Sequence, residues 1–332
     1  MNSNGAILIL GSNSFSGSVF MEVLLNEGKK VLGINRSCEV ALPFRAYSNS
    51  KKLANMQIFE LGSNYEPATV VEICNANNVD SIVNFAAQSM VAQSWDSPWD
   101  WYQTNCVWLS QLTHALMKWG GLKKFVHYTT PEVYGSTSGW IDEQAGINPT
   151  TPYAISRAAG DLHLLAEFRR SGFPVVLTRA ANVYGPFQQR YRILPKALIA
   201  AATRQEMELH GGGHSERSFI FMEDVAHALL RILKCGTIGA SYHISTQRLV
   251  TIRKAVEMCF QIYGIEPSNY LVVSEDRPGK DKAYMLNSNK IRRELGWVDT
   301  VSLEDGIRKT RQWVDRWLDL LVKEPSEYVH KA

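Results

Sequence analysis

Residues 6–28 read AILILGSNSFSGSVFMEVLLNEG, and this stretch decides the fold class. The apolar run Ala6–Leu10 predicts a buried strand, and the apolar residues that recur at helical spacing over residues 19–24 predict a helix. Gly11 and Gly17 lie in the turn between them. This is the setting of a dinucleotide site, because glycine lets the backbone approach a pyrophosphate and the helix N-terminus supplies N–H donors.

The alternation of apolar runs and amphipathic stretches continues along the chain. Strands are predicted at residues 31–34, 57–60, 81–85, 125–128 and 175–178, and helices at residues 67–76, 99–119, 153–171 and 303–322. This pattern predicts an α/β fold with a doubly wound parallel (Rossmann) sheet. Beyond the last predicted strand the alternation weakens. We expect residues 1–178 to form the dinucleotide-binding (NAD(P)-binding) domain and residues 179–332 a smaller C-terminal domain, with some segments returning to the first.

Composition excludes several classes of protein. The 332 residues are 45% hydrophobic with a net charge of +3, which is too mild to favour nucleic acid or a membrane surface as a partner. No run approaches the ~18 apolar residues of a membrane span, and the first residues carry no basic signal-peptide region. The five cysteines are scattered, which supports neither a disulfide framework nor a zinc site. A cytoplasmic location is expected.

Residues 127–157 carry the side chains suited to acid–base chemistry. Thr130 and Glu132 follow a predicted strand end, and Tyr153 and Arg157 open a predicted helix. Residues four apart share a helical face, so Arg157 can place its charge beside the Tyr153 phenol. A hydroxyl, a carboxylate and a tyrosine beside a cation are parts for proton transfer.

The segments TTPEVYG and PYAISR resemble the STDEVYG and Tyr-x-x-x-Lys motifs of extended short-chain dehydrogenases/reductases. Within that family they look most like the nucleotide-sugar 4,6-dehydratases of the dTDP-glucose and GDP-mannose types. The resemblance implies oxidation at C4 of a sugar, loss of water across C5–C6 and return of hydride to C6, with Thr130, Glu132, Tyr153 and Arg157 as the catalytic set. The chain departs from the motifs at Ser14 (Gly in the family), Pro131 (Asp or Ser) and Arg157 (Lys).

The same resemblance implies a cofactor site. Its residues are Gly11, Asn13, Ser14, Phe15, Ser16, Gly17, Asn35, Arg36, Ser37, Ala86, Ala87, Gln88, Asn105, Tyr153 and Arg157. An acid after the second strand would bind the ribose 2′-hydroxyl of NAD, but Asn35-Arg36-Ser37 stands there instead. Because Arg36 can bind a 2′-phosphate, we expect NADP, with NAD left open.

A nucleoside-diphosphate sugar is the partner that the resemblance implies. Three segments resemble motifs of the family's substrate domain: QQRYRILPKAL with Arg192, GGGHSERSFIFMEDVAHAL with Arg217 and DRPGKDKAYMLNSNKIRRELGW with Arg277. The resemblance therefore makes residues 179–332 the substrate-binding domain, whose arginines would bind a diphosphate through forked donors. The expected substrate residues are Ser89, Ser94, Asn182, Arg192, Arg217 and Arg277.

A homodimer through the helices at residues 99–119 and 153–171 is also implied by the resemblance. Trp95, Trp99, Trp101 and Trp108 are predicted to be core and interface anchors, not a platform for stacking bases, because no basic residue interleaves between them. Two other functions stay open. A 4-epimerase would use Tyr153 and the cofactor without needing Glu132, and a cofactor-binding sensor would need no turnover.

Overall fold

A seven-stranded parallel sheet forms the centre of the protein in a computed structural model that describes residues 5–62, 65–275 and 285–330. The strands are β1 Ala6–Leu10, β2 Val31–Asn35, β3 Met56–Glu60, β4 Val79–Asn84, β5 Lys124–Thr129, β6 Trp140–Ile141, β7 Val175–Ala180, β8 Asn182–Tyr184, β9 Met207–His210, β10 Glu216–Arg217, β11 Phe219–Phe221, β12 Ser241–Ile244, β13 Val250–Thr251, β14 Leu271–Ser274 and β15 Met285–Leu286.

The sheet runs in the order β12-β7-β5-β4-β1-β2-β3. The order reverses at β1, with β2 on one side and β4 on the other, so this is the switch point at which open α/β sheets bind ligands. The predicted doubly wound Rossmann sheet is confirmed. Strand β12 joins this sheet from beyond residue 178. The division into domains at residues 178 and 179 stays a prediction.

Helices cover both faces of the sheet. The helices of the described residues are α1 Phe15–Asn26, α2 Pro67–Ala76, α3 Pro98–Tyr102, α4 Leu109–Trp119, α5 Pro152–Ser171, α6 Ile193–Thr203, α7 Met222–Cys235, α8 Ile252–Gln261, α9 Asn289–Leu295 and α10 Leu303–Leu321. Helices α1 and α7 share one apolar core with the sheet, and α2, α4 and α5 share another. Helices α6, α8 and α10 bury a third core beside it. Among the helices that the structure describes, none is long and apolar enough to span a bilayer.

Several predicted strand boundaries differ from those in the structure. Strand β4 ends at Asn84, before the predicted residue 85, where Asn84 Oδ1 accepts a hydrogen bond from Ala86 N (3.0 Å) and turns the chain out of the sheet. Strand β2 continues to Asn35 and β7 to Ala180, because both still have neighbours in register.

The predicted single helix over residues 99–119 is interrupted. A π-helix at Gln103–Trp108 lies between α3 and α4. It contains Asn105, whose carbonyl oxygen lies so near α5 that a Cβ on Gly160 would be 2.6 Å from it. Trp101 is fully buried, as expected of a core anchor. Trp95 and Trp99 are 63% and 64% exposed in the single chain, so a role for them as interface anchors stays a prediction.

Candidate active site

Two cavities lie side by side at the edge of the sheet where the parallel strands end. The first, of about 400 Å³, is lined by residues that follow β1, β2 and β4, and the second, of about 530 Å³, by residues that follow β5 and β7. Ala87 lines both, so the two cavities are contiguous. Together they form one groove that an extended ligand can occupy.

The first cavity collects eight of the residues predicted to bind a cofactor: Gly11, Asn13, Asn35, Arg36, Ser37, Ala86, Ala87 and Gln88. Its glycine turn fits a dinucleotide. Gly11 has a φ of +76°, and a Cβ there would lie 2.8 Å from Ala86 N. A Cβ on Gly17 would lie 2.4 Å from Gly11 O. Only glycine therefore allows this approach of β1, α1 and the segment after β4.

Ser14, which replaces the middle glycine, caps helix α1. Its Oγ accepts a hydrogen bond from Gly17 N (3.1 Å) and donates one to Gly11 O (2.7 Å). The hydroxyl proton is thus already committed, and Ser14 fixes the turn while Phe15 and Ser16 present the first turn of α1 to the second cavity.

The end of β2 is held by side chains from the glycine turn. Asn35 Oδ1 accepts from Asn13 N (2.7 Å), and Asn35 Nδ2 donates to Ser12 Oγ (2.7 Å). Asn13 Nδ2 in turn donates to Ser37 O (3.0 Å). These bonds fix the backbone around Arg36, which lines the first cavity with its side chain exposed.

Asn105 lines neither cavity, but it fixes the segment that separates them. Its Oδ1 accepts from Gln88 N (2.8 Å), and its Nδ2 donates to Gln88 O (2.9 Å) and to Ser156 Oγ (3.0 Å). Asn105 therefore ties the segment after β4 to α5, one residue from Arg157. The π-helix directs this amide inward, and such local widening of a helix often occurs at functional sites.

The second cavity brings together the four side chains predicted to do the chemistry: Thr130, Glu132, Tyr153 and Arg157. Thr130 Oγ1 accepts from Glu132 N (3.3 Å), which begins a turn at Pro131–Tyr134 and sets Glu132 beside the phenol. Thr130 is also hydrogen-bonded to Tyr153. Thr151 caps α5, accepting from Ala154 N (3.2 Å), and so places Tyr153 in its first turn.

Burial raises the pKa of Tyr153 above its ordinary value, and the charge of Glu132 adds to this rise. The positive charge of Arg157 is the largest effect that lowers this pKa, helped by the Thr130 hydrogen bond and by Arg192. Arg157 thus acts in the expected direction, but burial outweighs it. Proton abstraction near neutral pH requires additional positive charge beside the phenol.

Arg157 is buried and held from behind by β5. Its Nη2 donates a short hydrogen bond to Tyr128 O and lies 3.5 Å from His127 Nε2. Burial lowers the pKa of His127 well below its usual value, and the charges of Arg157 and Arg179 lower it further. His127 is therefore neutral, and it can stand beside a guanidinium without adding positive charge.

A buried ion pair, which the sequence reasoning missed, lies behind His127. Asp161 Oδ2 accepts from Arg179 Nη2 (2.7 Å), and Asp161 Oδ1 lies 3.8 Å from His127 Nε2. Asp161 is four residues beyond Arg157 on α5, so its shared helical face was a signal that the sequence contained. Its partner on β7 could not be identified without the fold. Breaking such a buried pair costs about 3–5 kcal/mol.

The network continues to a second buried histidine. Arg179 Nη1 donates to Tyr134 Oη (3.0 Å), which is hydrogen-bonded to His243 Nε2 (2.7 Å). Burial is the main cause that lowers the pKa of His243 to about 3, and the charge of Arg179 adds to it.

We expect His243 to make stability depend on pH. The unfolded imidazole has a pKa near 6.5. Between that value and about 3 the unfolded chain binds a proton that the folded chain does not. The free energy of unfolding therefore falls as pH is lowered from about 6.5, by about 1.4 kcal/mol per pH unit. When pH is lowered from 6.5 to 5, the free energy of unfolding measured in urea should fall by about 2 kcal/mol less for His243→Gln than for the wild type. The exposed His227→Gln is the control, and equal losses in all three proteins would contradict the prediction.

The predicted substrate residues are only partly brought together. Ser89, Asn182 and Arg192 line the second cavity. Ser94 is fully buried and donates to Val91 O (2.6 Å), and Arg217 is buried in β10, outside the linings of both cavities. Arg277 lies outside the described residues.

Several lining residues were not predicted. The second cavity also contains Tyr128, Gln188, Gln189 and Tyr191, and the first contains Tyr65, Glu66 and Trp108. Gln188 and Gln189 begin the segment QQRYRILPKAL, whose resemblance to the family was used only to assign Arg192. Among the described residues, no group of three His, Cys, Asp or Glu side chains could hold a metal ion.

Comparison with known proteins yields a family model and close relatives. The model described as GDP-mannose 4,6 dehydratase matches residues 8–310. A dTDP-glucose 4,6-dehydratase of Streptomyces niveus is 36% identical over 235 residues, which are 70% of this chain and 69% of that protein. A trifunctional UDP-glucose 4,6-dehydratase/UDP-4-keto-6-deoxy-D-glucose 3,5-epimerase/UDP-4-keto-L-rhamnose-reductase of Arabidopsis thaliana is 33% identical over 244 residues, which are 71% of this chain. The matched region spans only 36% of that plant protein.

A solved structure shares the whole architecture. The dTDP-glucose 4,6-dehydratase of Streptomyces venezuelae, determined with NAD bound, superimposes with a TM-score of 0.85 at 27% identity. The match covers 94% of this chain and 97% of the other.

Proposed function

The chain belongs to the GDP-mannose 4,6 dehydratase family, as its motifs predicted, and from this premise we propose that it is a nucleoside-diphosphate-sugar 4,6-dehydratase, a hydro-lyase that uses a nicotinamide dinucleotide. The observation that carries the proposal is the second cavity. It holds Tyr153, Glu132 and Arg192 together and is contiguous with the glycine turn of the first cavity.

Tyr153 begins the reaction as a base. Its phenolate takes the proton of the sugar O4 while C4 loses hydride, which leaves a ketone at C4. A nicotinamide dinucleotide held by the residues of the first cavity would supply the hydride acceptor and a positive charge. Arg157 lowers the pKa of Tyr153 from one side, and the Thr130 hydroxyl holds the phenol in place.

Glu132 performs the elimination. The C4 ketone acidifies the C5 proton, which the carboxylate removes. The C6 hydroxyl then leaves as water, and because Pro131 has no proton to donate, Glu132 returns to it the proton just taken. Hydride adds to C6, C5 takes a proton from solvent, and the O4 proton leaves Tyr153 to solvent. The sugar loses one water with no net oxidation.

We propose that the dinucleotide is NADP. Support comes from Arg36 and Ser37 in the lining of the first cavity and from Asn35, an amide already hydrogen-bonded, at the position where a carboxylate would favour NAD. A guanidinium binds a phosphate by charge-assisted hydrogen bonds.

Replacing Arg36 by Ala is expected to weaken binding of NADP by about 10–100-fold, because a charge-assisted hydrogen bond contributes about 1.5–3 kcal/mol. Binding of NAD should change by less than about threefold, since it has no 2′-phosphate for the guanidinium to contact. Calorimetric titration with each dinucleotide checks this, with Arg45→Ala as the control for an arginine outside the cavity. Equally weakened binding of NADP and NAD would show that Arg36 does not contact the 2′-phosphate.

A homodimer through α3, α4 and α5 is part of the same proposal. Support comes from apolar side chains on these elements and just before them that are exposed in the single chain: Trp95, Trp99, Ile155 and Leu162. Burying them against a second copy would remove a large apolar area from water. A cytoplasmic location is likewise proposed, and the five free cysteines support it.

The function is tested by incubating the protein with UDP-, dTDP- and GDP-hexoses, with a catalytic amount of dinucleotide and no reductant. A dehydratase converts one of them to a product that has lost one water in the mass spectrum. A product of unchanged mass and altered configuration would establish a 4-epimerase instead. Bound dinucleotide with no product from any hexose would favour a sensor.

A further inference from the structure

Residues 322–330, which follow α10, return across the rim of the second cavity toward α3. Arg190, which precedes the cavity residues Tyr191 and Arg192, anchors the start of this segment. Its Nη1 donates to Val322 O and to Glu324 O, both at 2.7 Å. The segment is thus tied to the cavity rim as soon as it leaves the helix.

Tyr328 then packs on the rim itself. Its ring meets that of Tyr191 edge to face, with centroids 5.7 Å apart at 77°. The guanidinium of Arg192 lies over the ring of Tyr191, 5.6 Å from its centroid. Tyr191 and Arg192 both line the second cavity. Arg192, Tyr191 and Tyr328 therefore form a continuous row of contacts from the cavity to the segment.

His330 fixes the far end of the segment on α3. Its Nε2 donates to Asp100 Oδ2 (2.8 Å), and its ring stacks on Trp101 with centroids 4.7 Å apart at 16°. Its Nδ1 is 3.5 Å from Tyr328 Oη. Helix α3 packs on α5 and leads directly into the π-helix, whose residues Gln103, Thr104 and Trp108 line the first cavity. The segment therefore links the rim of the second cavity to the element that borders the first.

We propose that Tyr328 and His330 are substrate-positioning residues, which hold the Tyr191–Arg192 rim so that the Arg192 guanidinium faces the diphosphate of the bound sugar nucleotide. This inference rests on the proposed function, because it assigns a role at the same site. Arg192 is the residue before α6, and its guanidinium lies against Tyr191 and is hydrogen-bonded to it. The position of the cation therefore depends on the Tyr191 ring, which Tyr328 supports from the segment.

Two further observations agree. The exposure of side chains alternates along the segment: Tyr328 and His330 are half-buried, whereas Val329 between them is 61% exposed. This alternation is typical of an extended chain that lies with one side against the protein. Burial raises the pKa of Tyr328, while the charges of Arg192 and Arg36 oppose it. The phenol therefore lies within electrostatic range of both cavities.

The test is to replace Tyr328 by Ala and to measure binding of UDP, dTDP and GDP, together with KM and kcat for the hexose that the wild type converts. We expect binding of the preferred diphosphate to weaken and KM to rise by about tenfold, because an aromatic contact of this kind contributes about a factor of ten. The kcat should fall by less than KM rises, because Glu132 and Arg157 are untouched and Arg157 lowers the pKa of Tyr153 more than Arg192 does. Tyr328→Phe, which keeps the ring on Tyr191, should restore most of the affinity, and Val329→Ala is the matched control.

Each pattern of results is decisive. Diphosphate binding by Tyr328→Ala equal to that by Val329→Ala would overturn the positioning role, even if the wild type is an active dehydratase. A parallel fall in kcat and in melting temperature with unchanged diphosphate binding would also overturn it, because it would show a structural role. Weakened diphosphate binding without turnover of any hexose by the wild type would leave the positioning role standing and refute the dehydratase.

Discussion

Replacement of Tyr153 by Phe should lower kcat by about 10²–10⁴-fold, which is the contribution of a positioned general base. The change removes one oxygen atom and keeps the ring in a cavity whose walls are formed by β5, α1 and α5. Binding of the nucleoside diphosphate should therefore stay close to that of the wild type. Steady-state kinetics and calorimetry on the same preparation separate the two effects.

Tyr128→Phe is the matched control, because this second tyrosine lines the same cavity. Burial raises the pKa of Tyr128 also, and Arg157 opposes this rise less than the hydrogen bond with Ser16 does. At Tyr153, in contrast, Arg157 is the largest effect that lowers the pKa. Its loss should reduce kcat by less than about tenfold. A larger fall in kcat for Tyr128→Phe than for Tyr153→Phe would show that Tyr128, and not Tyr153, is the base.

Replacement of Glu132 by Gln should also reduce product formation by about 10²–10⁴-fold, since the amide cannot remove the C5 proton. Gln keeps the size of the side chain, so the turn at Pro131–Tyr134 should persist. In heavy water the wild type should place solvent deuterium at C5, and the variant should not. Mass spectra of product and recovered substrate measure both quantities.

Glu143→Gln is the control for the loss of a carboxylate near this region. Glu143 accepts a hydrogen bond from His243 N (2.8 Å) and lines neither cavity. We expect its turnover to stay within about tenfold of the wild type. Undiminished elimination by Glu132→Gln would mean that another group removes the C5 proton, and it would remove the main argument against a 4-epimerase.

The fold was accessible from the sequence because its signals are local. A strand, a glycine turn and a helix within residues 6–28 are adjacent in sequence and in space, and α2 has the predicted bounds Pro67–Ala76. The π-helix was not accessible. It depends on the contact of Asn105 with Gln88 and on the close approach of Gly160, and both partners are distant in sequence.

The site was predictable where spacing decides it. Tyr153 and Arg157 share a helical face, and the structure places both in the second cavity. The direction of the Tyr153 pKa was not predictable, because burial depends on the packed fold and here outweighs the adjacent cation. The position of Arg217 was not predictable either. Its segment resembles a motif of the family, but its side chain is outside the linings of both cavities.

The central claim is that hydride taken from C4 returns to C6 of the same sugar, and a substrate deuterated at C4 tests it most directly. After turnover with unlabelled dinucleotide, nuclear magnetic resonance locates the label in the product. We predict deuterium at C6, beside a C4 ketone. Deuterium restored to C4 with inverted configuration would show an epimerase, and deuterium left on the dinucleotide would show a simple dehydrogenase. Either result would contradict the account.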